Sequence, residues 1–153
     1  MEQKLYFPLF IDLSDKTVLV VGGGPIAARR VNTLLPFAGR IVVTAPECVG
    51  ELTEKAEEGK TELRLRRFEP SDLDGAALVL SATGDADTDE EVRRLCSERG
   101  IPVNIASDRN KCDFYFPGVA RKGPLVAGVT AGGTDHKKAR ELTEKIRELL
   151  ENE

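Results

Sequence analysis

The chain has 153 residues, of which 41% are hydrophobic and 31% charged, with a formal net charge of −4. This composition predicts a soluble globular protein of one ordinary domain, or one domain with a small appendage. The acidic balance and the lack of a basic run with interleaved aromatics argue against a general nucleic-acid binder. No apolar stretch approaches the ~20 residues that cross a bilayer.

The N-terminal residues MEQKLYFPLF do not read as a signal peptide, because the apolar part is short and Pro8 interrupts it. Three widely spaced cysteines, Cys48, Cys96 and Cys112, argue against a disulfide framework and against a zinc site. A reducing cytoplasm is therefore the expected location. With His136 as the single histidine, we expect no metal site.

Strand-like and helix-like segments alternate from the first apolar run to about residue 110. This alternation predicts βαβ units and an α/β, Rossmann-type doubly wound parallel sheet. Pro25 suits the first turn of the first helix, and Pro36 ends that helix. The predicted strands are residues 17–21, 40–44, 61–65, 77–81 and 101–104, and the predicted helices are residues 25–35, 47–58 and 87–99.

After Asp113 the pattern changes. Two strand-like runs, residues 114–119 and 125–130, predict an antiparallel hairpin, and Thr134 is placed to cap a helix ending near residue 150. We therefore expect an α/β domain at residues 1–113 and a small α+β segment at residues 114–153. An apolar stripe along the last helix fits packing on the chain's own sheet or a subunit interface equally well; it comprises Ala139, Leu142, Ile146 and Leu149.

The most informative motif is the glycine-rich turn at residues 22–27, which follows an apolar strand and opens a helix. Gly22 allows the tight turn, Gly24 allows the backbone to approach a phosphate, and Ala27 allows helix and strand to pack closely. The free N–H groups and the positive dipole end of the helix then face the anion. The alternative is a glycine-rich turn in another α/β protein.

Ligands of such sheets bind at the carboxyl ends of the strands, near the switch point. The small residues 81–84 suit close approach of a nicotinamide or its ribose, although a plain turn capped by Asp85 or Asp87 is equally consistent. Position 44, where a ribose-binding acid is expected, holds a threonine, and the nearest acid is Glu47. The choice between NAD and NADP therefore stays open at this point. Asp108 and Ser107 are candidate acid–base groups, but Asp108 also suits an Asx turn before Asn110.

Pieces spread over the whole chain resemble the N-terminal domain of siroheme synthases, in the family's order. The similar pieces are Phe7-Pro8-Leu9-Phe10, the run from Val18 to Gly24, Ser81-Ala82-Thr83, Val103-Asn104, the CDFYFP segment at residues 112–117 and Gly132-Gly133-Thr134. Members of this family are NAD-dependent precorrin-2 dehydrogenases, and some also insert iron into sirohydrochlorin.

The resemblance implies an NAD-dependent dehydrogenase of siroheme biosynthesis that converts precorrin-2 to sirohydrochlorin and forms a homodimer. It also implies that residues 1–113 are the NAD-binding Rossmann domain and that residues 114–153 are the dimerisation segment. It implies an NAD site lined by Gly22, Gly23, Gly24, Pro25, Ile26, Ala45, Pro46, Glu47, Ala82 and Thr83. Asn104, Ser107 and Asp108 are the expected catalytic residues. The substrate carries many carboxylates, so Arg109, Lys111, Arg121 and Lys122 are expected to contact it, although solvated surface charge also explains them.

Two departures from the family bear on activity. Ser107 stands where related sequences often have an aspartate, and the family's final helical domain has no counterpart after the last helix. We therefore expect little or no ferrochelatase activity and a separate chelatase as a partner. The alternative function is a non-enzymatic NAD-binding regulatory module or a tetrapyrrole sensor.

Overall fold

The structure, a computed structural model, describes residues 4–153. It comprises two compact units, one spanning Ile11–Asp113 and the other combining the segment up to Phe10 with Phe114–Glu153. The Ile11–Asp113 unit carries the predicted α/β fold. The C-terminal part of the second unit is a hairpin followed by a helix.

The Ile11–Asp113 unit is built on five parallel strands in the order β3-β2-β1-β4-β5. Because β2 and β4 lie on opposite sides of β1, the chain reverses its direction of travel across the sheet after β3. The strands are β1 (Thr17–Val21), β2 (Arg40–Thr44), β3 (Glu62–Arg64), β4 (Ala76–Ser81) and β5 (Val103–Ile105). This order confirms the Rossmann-type sheet that the sequence predicts.

The helices are α1 (Pro25–Leu34), α2 (Gly50–Glu57) and α3 (Ala86–Arg99). Helix α1 packs on β1, α2 on β3, and α3 on β4 and β5. Val18, Leu19 and Val20 of the central strand are fully buried. A continuous apolar run is typical of a strand covered on both faces.

Two predicted starts in this unit lie two or more residues from the observed ones, and the other bounds agree within one residue. Helix α2 begins at Gly50 and not at residue 47, because the Val49 N–H donates to the Gly23 carbonyl at 2.8 Å and keeps that segment extended against the glycine turn. Strand β5, at the edge of the sheet, begins at Val103, after Pro102, because proline has no N–H to donate to the ladder with β4.

The second unit contains the antiparallel pair β6 (Gly118–Lys122) and β7 (Leu125–Val129), followed by α4 (His136–Glu151). The first strand of the hairpin therefore lies later than the predicted residues 114–119, because Pro117 cannot donate a ladder hydrogen bond. The predicted cap is also wrong. Asp135 caps α4 by accepting the Lys138 N–H at 2.9 Å, while the Thr134 hydroxyl donates to the Ala131 carbonyl.

Helix α4 packs against its own hairpin through a close approach to β6. A Cβ added at Gly118 would lie 2.4 Å from the Thr143 hydroxyl oxygen, so only glycine fits opposite this buried threonine. Ala139 and Ile146 are half-buried, whereas Leu142 and Leu149 are 49% and 65% exposed. The predicted stripe is therefore divided between a face on the hairpin and an exposed edge.

Candidate functional site

The first two glycines of the turn after β1 allow neighbouring loops to close on it. Gly22 has φ +128°, and a Cβ there would lie 2.3 Å from the Ala82 carbonyl oxygen. A Cβ at Gly23 would lie 2.0 Å from the Glu47 carbonyl oxygen. The turn is fixed to the end of β2 by the Gly22 N–H, which donates to the Thr44 carbonyl at 2.9 Å. Glycine is thus required here by the packing of backbone on backbone.

Gly24 differs from both neighbours. It has φ −90° and ψ −171°, an extended conformation open to any residue, and a Cβ there would meet no atom within 4 Å. Gly24 is the N-cap of α1, Pro25 follows at the first helical position, and none of the described side chains caps this helix end. The backbone N–H groups of the first turn of α1 therefore adjoin open space, which is the arrangement that suits an anion.

The open space belongs to a cleft with a volume of about 530 Å³ at the carboxyl ends of the strands. The loops after β1, β2, β3 and β4 all contribute to its walls. The lining residues are Val21, Gly22, Gly23, Gly24, Thr44, Ala45, Pro46, Glu47, Cys48, Val49, Arg67, Phe68, Thr83, Asp85 and Thr88. Its position next to β1 and β4 is the switch point at which such sheets bind ligands.

One buried polar atom on this lining has no partner among the residues the structure describes. The Thr44 hydroxyl oxygen is fully buried and makes no hydrogen bond within residues 4–153. Buried hydroxyls are nearly always satisfied, so an unsatisfied one calls for a partner from outside the chain. Thr44 therefore places an unsatisfied polar atom at the end of β2, beneath the surface of the cleft.

The charged groups of the cleft have both signs. Glu47 and Arg67 are exposed on its lining, and Asp85 caps α3 by accepting the Asp87 N–H at 3.1 Å. Hydrogen bonds from the Thr88 hydroxyl and from the Asp87 N–H lower the pKa of Asp85, with a smaller contribution from Arg67. Of the two candidate caps, Asp85 and Asp87, it is therefore Asp85 that caps α3.

Sequence reasoning missed a buried carboxylate beside the cleft. Asp89, in the first turn of α3, is only 5% exposed. Its Oδ1 accepts hydrogen bonds from the Ser81 and Thr83 hydroxyls, each at 2.7 Å, and its Oδ2 lies 3.4 Å from the Ser107 hydroxyl. The available signal was the polar sequence of the β4 end, but the sequence alone does not show that α3 turns Asp89 toward it.

The three expected catalytic residues occupy different environments. Asn104 is 3% exposed, and its side-chain oxygen accepts a hydrogen bond from Arg30 at 2.6 Å. Asp108 accepts the Asn110 N–H at 2.9 Å and so caps a short 3₁₀ helix, Arg109–Lys111. Ser107 is exposed next to Asp89. The turn-capping role considered for Asp108 is present in the structure.

The expected substrate-binding cations divide between the two units. Arg109 and Lys111 lie after β5, and the Lys111 ammonium forms an ion pair with Glu90 at 3.2 Å. Arg121 and Lys122 lie on β6, and the Lys122 ammonium donates to the backbone oxygens of Glu151 and Glu153. All four are exposed.

Most of the expected cofactor residues meet at the cleft. Gly22, Gly23, Gly24, Ala45, Pro46, Glu47 and Thr83 line it. The carbonyl of Ala82 lies directly against Gly22, and Ile26 is 44% exposed on α1. Pro25 lines a separate depression with Arg29 and Glu51.

His136 is exposed in the first turn of α4. Within residues 4–153, no group of three or more histidine, cysteine or acidic side chains could hold a metal ion.

The strand order, the glycine turn at the switch point and the cleft above it define a dinucleotide-binding domain of Rossmann type. The chain belongs to the family described as "Putative NAD(P)-binding", which matches residues 9–118. The expected cofactor class is therefore confirmed as NAD(P).

Similar proteins confirm the resemblance to siroheme synthases. The chain is 42% identical over 144 residues to the "Probable multifunctional siroheme biosynthesis protein HemA" of Ruminiclostridium josui, covering 94% of this chain and 28% of that protein. It is 38% identical over 143 residues to the siroheme synthase of Methylobacillus flagellatus, covering 94% of this chain and 31% of that protein. The chain thus spans about three tenths of the length of these relatives.

A solved structure extends the likeness to three dimensions. The structure named "SirC, precorrin-2 dehydrogenase" superposes with a TM-score of 0.73 at 27% identity, covering 96% of this chain and 70% of that one. Both units of the chain therefore have counterparts in that structure. Separately, every helix within residues 4–153 is too short or too polar to cross a membrane.

Proposed function

We propose that this chain catalyses the NAD-dependent dehydrogenation of precorrin-2 to sirohydrochlorin in siroheme biosynthesis. The observation that carries the proposal is the glycine turn opening on a cleft of about 530 Å³. Similarity to a precorrin-2 dehydrogenase over 96% of the chain and to siroheme synthases supports the choice of reaction.

The residues of the cleft fit a dinucleotide. A side chain at Gly24 would fill open space beside the start of α1, which is where a pyrophosphate needs backbone N–H groups and no Cβ. The loop after β2 contributes Pro46 and the exposed Glu47 to the same lining. These groups would hold the pyrophosphate and an adjoining ribose.

NAD, when bound, would accept the hydride that leaves a ring carbon of the substrate. The chain's own part is to bind, orient and exclude water. Gly22 and Gly23 close the loops at residues 45–49 and 82–85 on the turn, and the apolar sheet below keeps the floor of the cleft rigid. The proton released from the substrate passes to a base at the end of β5 or to water.

We favour NAD over NADP because Glu47 lies on the lining after β2 and a carboxylate repels a 2′-phosphate. Arg67 lies on the same lining and is the group that favours the opposite choice. Comparing the two cofactors in wild type and in Glu47→Gln tests this assignment. A gain in NADP affinity in the variant supports it, and a preference for NADP in wild type overturns it.

We further propose that iron insertion is weak or absent. Metal insertion into a tetrapyrrole needs a base that removes pyrrole protons, and Asp108 is the carboxylate expected for it. Its side chain is already an acceptor for the Asn110 N–H, and the neighbouring Ser107 carries no charge. We expect Asp108→Ala to lower precorrin-2 turnover more than Ser107→Ala does. Rapid iron or cobalt insertion into sirohydrochlorin by the wild-type chain would overturn this part.

We propose that the functional form is a homodimer built on the unit that contains the hairpin and α4. Within that unit Leu142 and Leu149 are 49% and 65% exposed, and Leu125 of β7 is 50% exposed. Exposed apolar side chains on a small helix and hairpin are typical of a surface that a second copy covers.

A cytoplasmic location fits the three free thiols.

The decisive experiment is anaerobic incubation with precorrin-2 and NAD, following NADH formation and the sirohydrochlorin spectrum together. We expect both signals to rise in parallel, and both to be lost without NAD. Gly24→Val is the matched variant that should fail to bind the cofactor. A chain that binds NAD tightly and leaves precorrin-2 unchanged would favour the sensor alternative.

A further inference from the structure

Asp89 gathers hydroxyl groups from the ends of two adjacent strands. Ser81 is the last residue of β4, Thr83 follows on the cleft lining, and Ser107 follows β5. Their oxygens lie 2.7, 2.7 and 3.4 Å from the Asp89 carboxylate. Asp89 is buried, with only 5% of the residue exposed. Within residues 4–153 no lysine or arginine forms an ion pair with its carboxylate. The hydroxyls and the N-terminal end of α3 are what stabilise its charge.

Helix capping does not explain this side chain. Asp85 already caps α3 by accepting the Asp87 N–H, and the Asp85 carbonyl accepts the Asp89 N–H at 3.0 Å. A buried carboxylate without a cation is costly compared with an apolar side chain of similar size. The role of Asp89 is therefore to be sought in the hydroxyls that it binds.

A carboxylate only accepts hydrogen bonds, so the Ser81 and Thr83 hydroxyls, each at 2.7 Å, point their hydrogens at Asp89. The Ser107 contact is longer, at 3.4 Å, and has the same direction. The lone pairs of the hydroxyl oxygens then face away from the carboxylate. One lone pair of Thr83 Oγ1 accepts the Asp85 N–H at 3.0 Å, which leaves the other for a partner in the cleft that Thr83 lines. Ser107 is exposed, and its oxygen is an acceptor in the same way.

We propose that Asp89 is a positioning residue that acts through Thr83 and Ser107. It presents the two oxygens as acceptors, and so selects N–H and O–H donors of the bound dinucleotide and substrate, such as ribose hydroxyls or a carboxamide. The Asp85 carbonyl, 3.1 Å from Thr83 Oγ1, is the alternative acceptor to which the Thr83 hydrogen turns when Asp89 is removed. This inference rests on the proposed function only for the identity of the ligands.

The test measures NAD binding by calorimetry for Asp89→Ala, Thr83→Val and the double variant. We expect each single change to weaken binding roughly three- to tenfold, as for one lost hydrogen bond. The double variant should bind NAD no more weakly than the weaker-binding single variant, because both changes remove the same interaction. Asp87→Asn is the matched control: it removes an exposed charge from the same helical turn and should leave NAD affinity unchanged.

Additive losses in the double variant would overturn the proposal, and so would unchanged NAD affinity in Asp89→Ala with only a lower Tm. If Asp89→Ala does not fold, Asp89→Leu replaces it, because leucine fills the buried volume and also removes every acceptor. The same non-additivity with Thr83→Val is then required.

Turnover separates the contribution of Ser107. In Asp89→Asn the amide nitrogen facing Ser107 donates to it. The serine hydrogen then turns outward, so a donor replaces one of the two outward lone pairs. We expect kcat to fall several-fold more than KM changes, and this effect to disappear in a Ser107→Ala background. An equal effect with and without the Ser107 hydroxyl would overturn this part. A chain without turnover refutes the proposed reaction and leaves the calorimetric test intact.

Discussion

The substitution Gly24→Val separates binding of the cofactor from folding of the chain. Gly24 has an extended backbone that a branched residue can adopt, and a Cβ there meets no atom within 4 Å. The new side chain would therefore project into the space beside the first turn of α1. We expect it to take the volume that a pyrophosphate needs and to leave the rest of the fold unchanged.

The two expected effects differ in size. Replacing glycine at an N-cap by a β-branched residue costs up to about 1 kcal/mol of stability, which lowers Tm by a few degrees. Excluding the pyrophosphate from the helix N-terminus should weaken NAD binding by well over tenfold, which is more than about 1.4 kcal/mol. The loss of affinity must therefore exceed the loss of stability.

Isothermal titration calorimetry with NAD and thermal unfolding of the same samples measure both quantities. Gly50→Val is the matched control, since a Cβ at Gly50 also meets no atom within 4 Å and Gly50 lies outside the lining of the cleft. It should bind NAD as wild type does. Equal NAD affinity in wild type and Gly24→Val would refute the placement of the cofactor on this turn.

Three further predictions concern the fold and the assembly. Gly23→Ala should destabilise the chain by about 2–4 kcal/mol in urea unfolding, because its Cβ would lie 2.0 Å from the Glu47 carbonyl oxygen; a wild-type midpoint would contradict this. Burial alone would raise the pKa of Asp72, but hydrogen bonds from Arg66, the Glu69 N–H and Arg64 outweigh it and lower that pKa to about 2, against 3.8 unfolded. The resulting stability is present above about pH 4 and is lost as pH falls toward 2, so Asp72→Asn should flatten this part of the stability profile, and an unchanged acid limb would contradict it. Light scattering at micromolar concentration should give about twice the monomer mass of 16.7 kDa, and Leu142→Glu should shift the mass toward the monomer; a wild-type monomer would remove the dimer.

The local segments were predictable because their signals are local. The run Val18 to Val21 followed by Gly22, Gly23 and Gly24 predicts a buried strand, a turn and a helix, and all three are present. Apolar strands alternating with polar helices limit the topology to a few parallel sheets. The motif therefore located the cleft, and the pieces shared with siroheme synthases identified the relatives.

The boundaries that depend on distant hydrogen bonds were not predictable. Helix α2 starts at Gly50 because the Val49 N–H is held by the Gly23 carbonyl, and no local pattern reports that bond. The structure also assigns Gly23 a packing role that the sequence motif did not show. Gly23 is needed because the loop after β2 lies against it, whereas Gly24 has open space around it.

The sequence by itself determined the fold class, the glycine turn and the cofactor class, because strand, turn and helix preferences act over a few neighbouring residues. Tertiary structure alone decided which polar groups meet. It turned Asn104 toward Arg30 and brought Asp89 under the hydroxyls of Ser81, Thr83 and Ser107. These pairings join residues on separate elements, and their geometry follows from how α1 and α3 pack on the sheet.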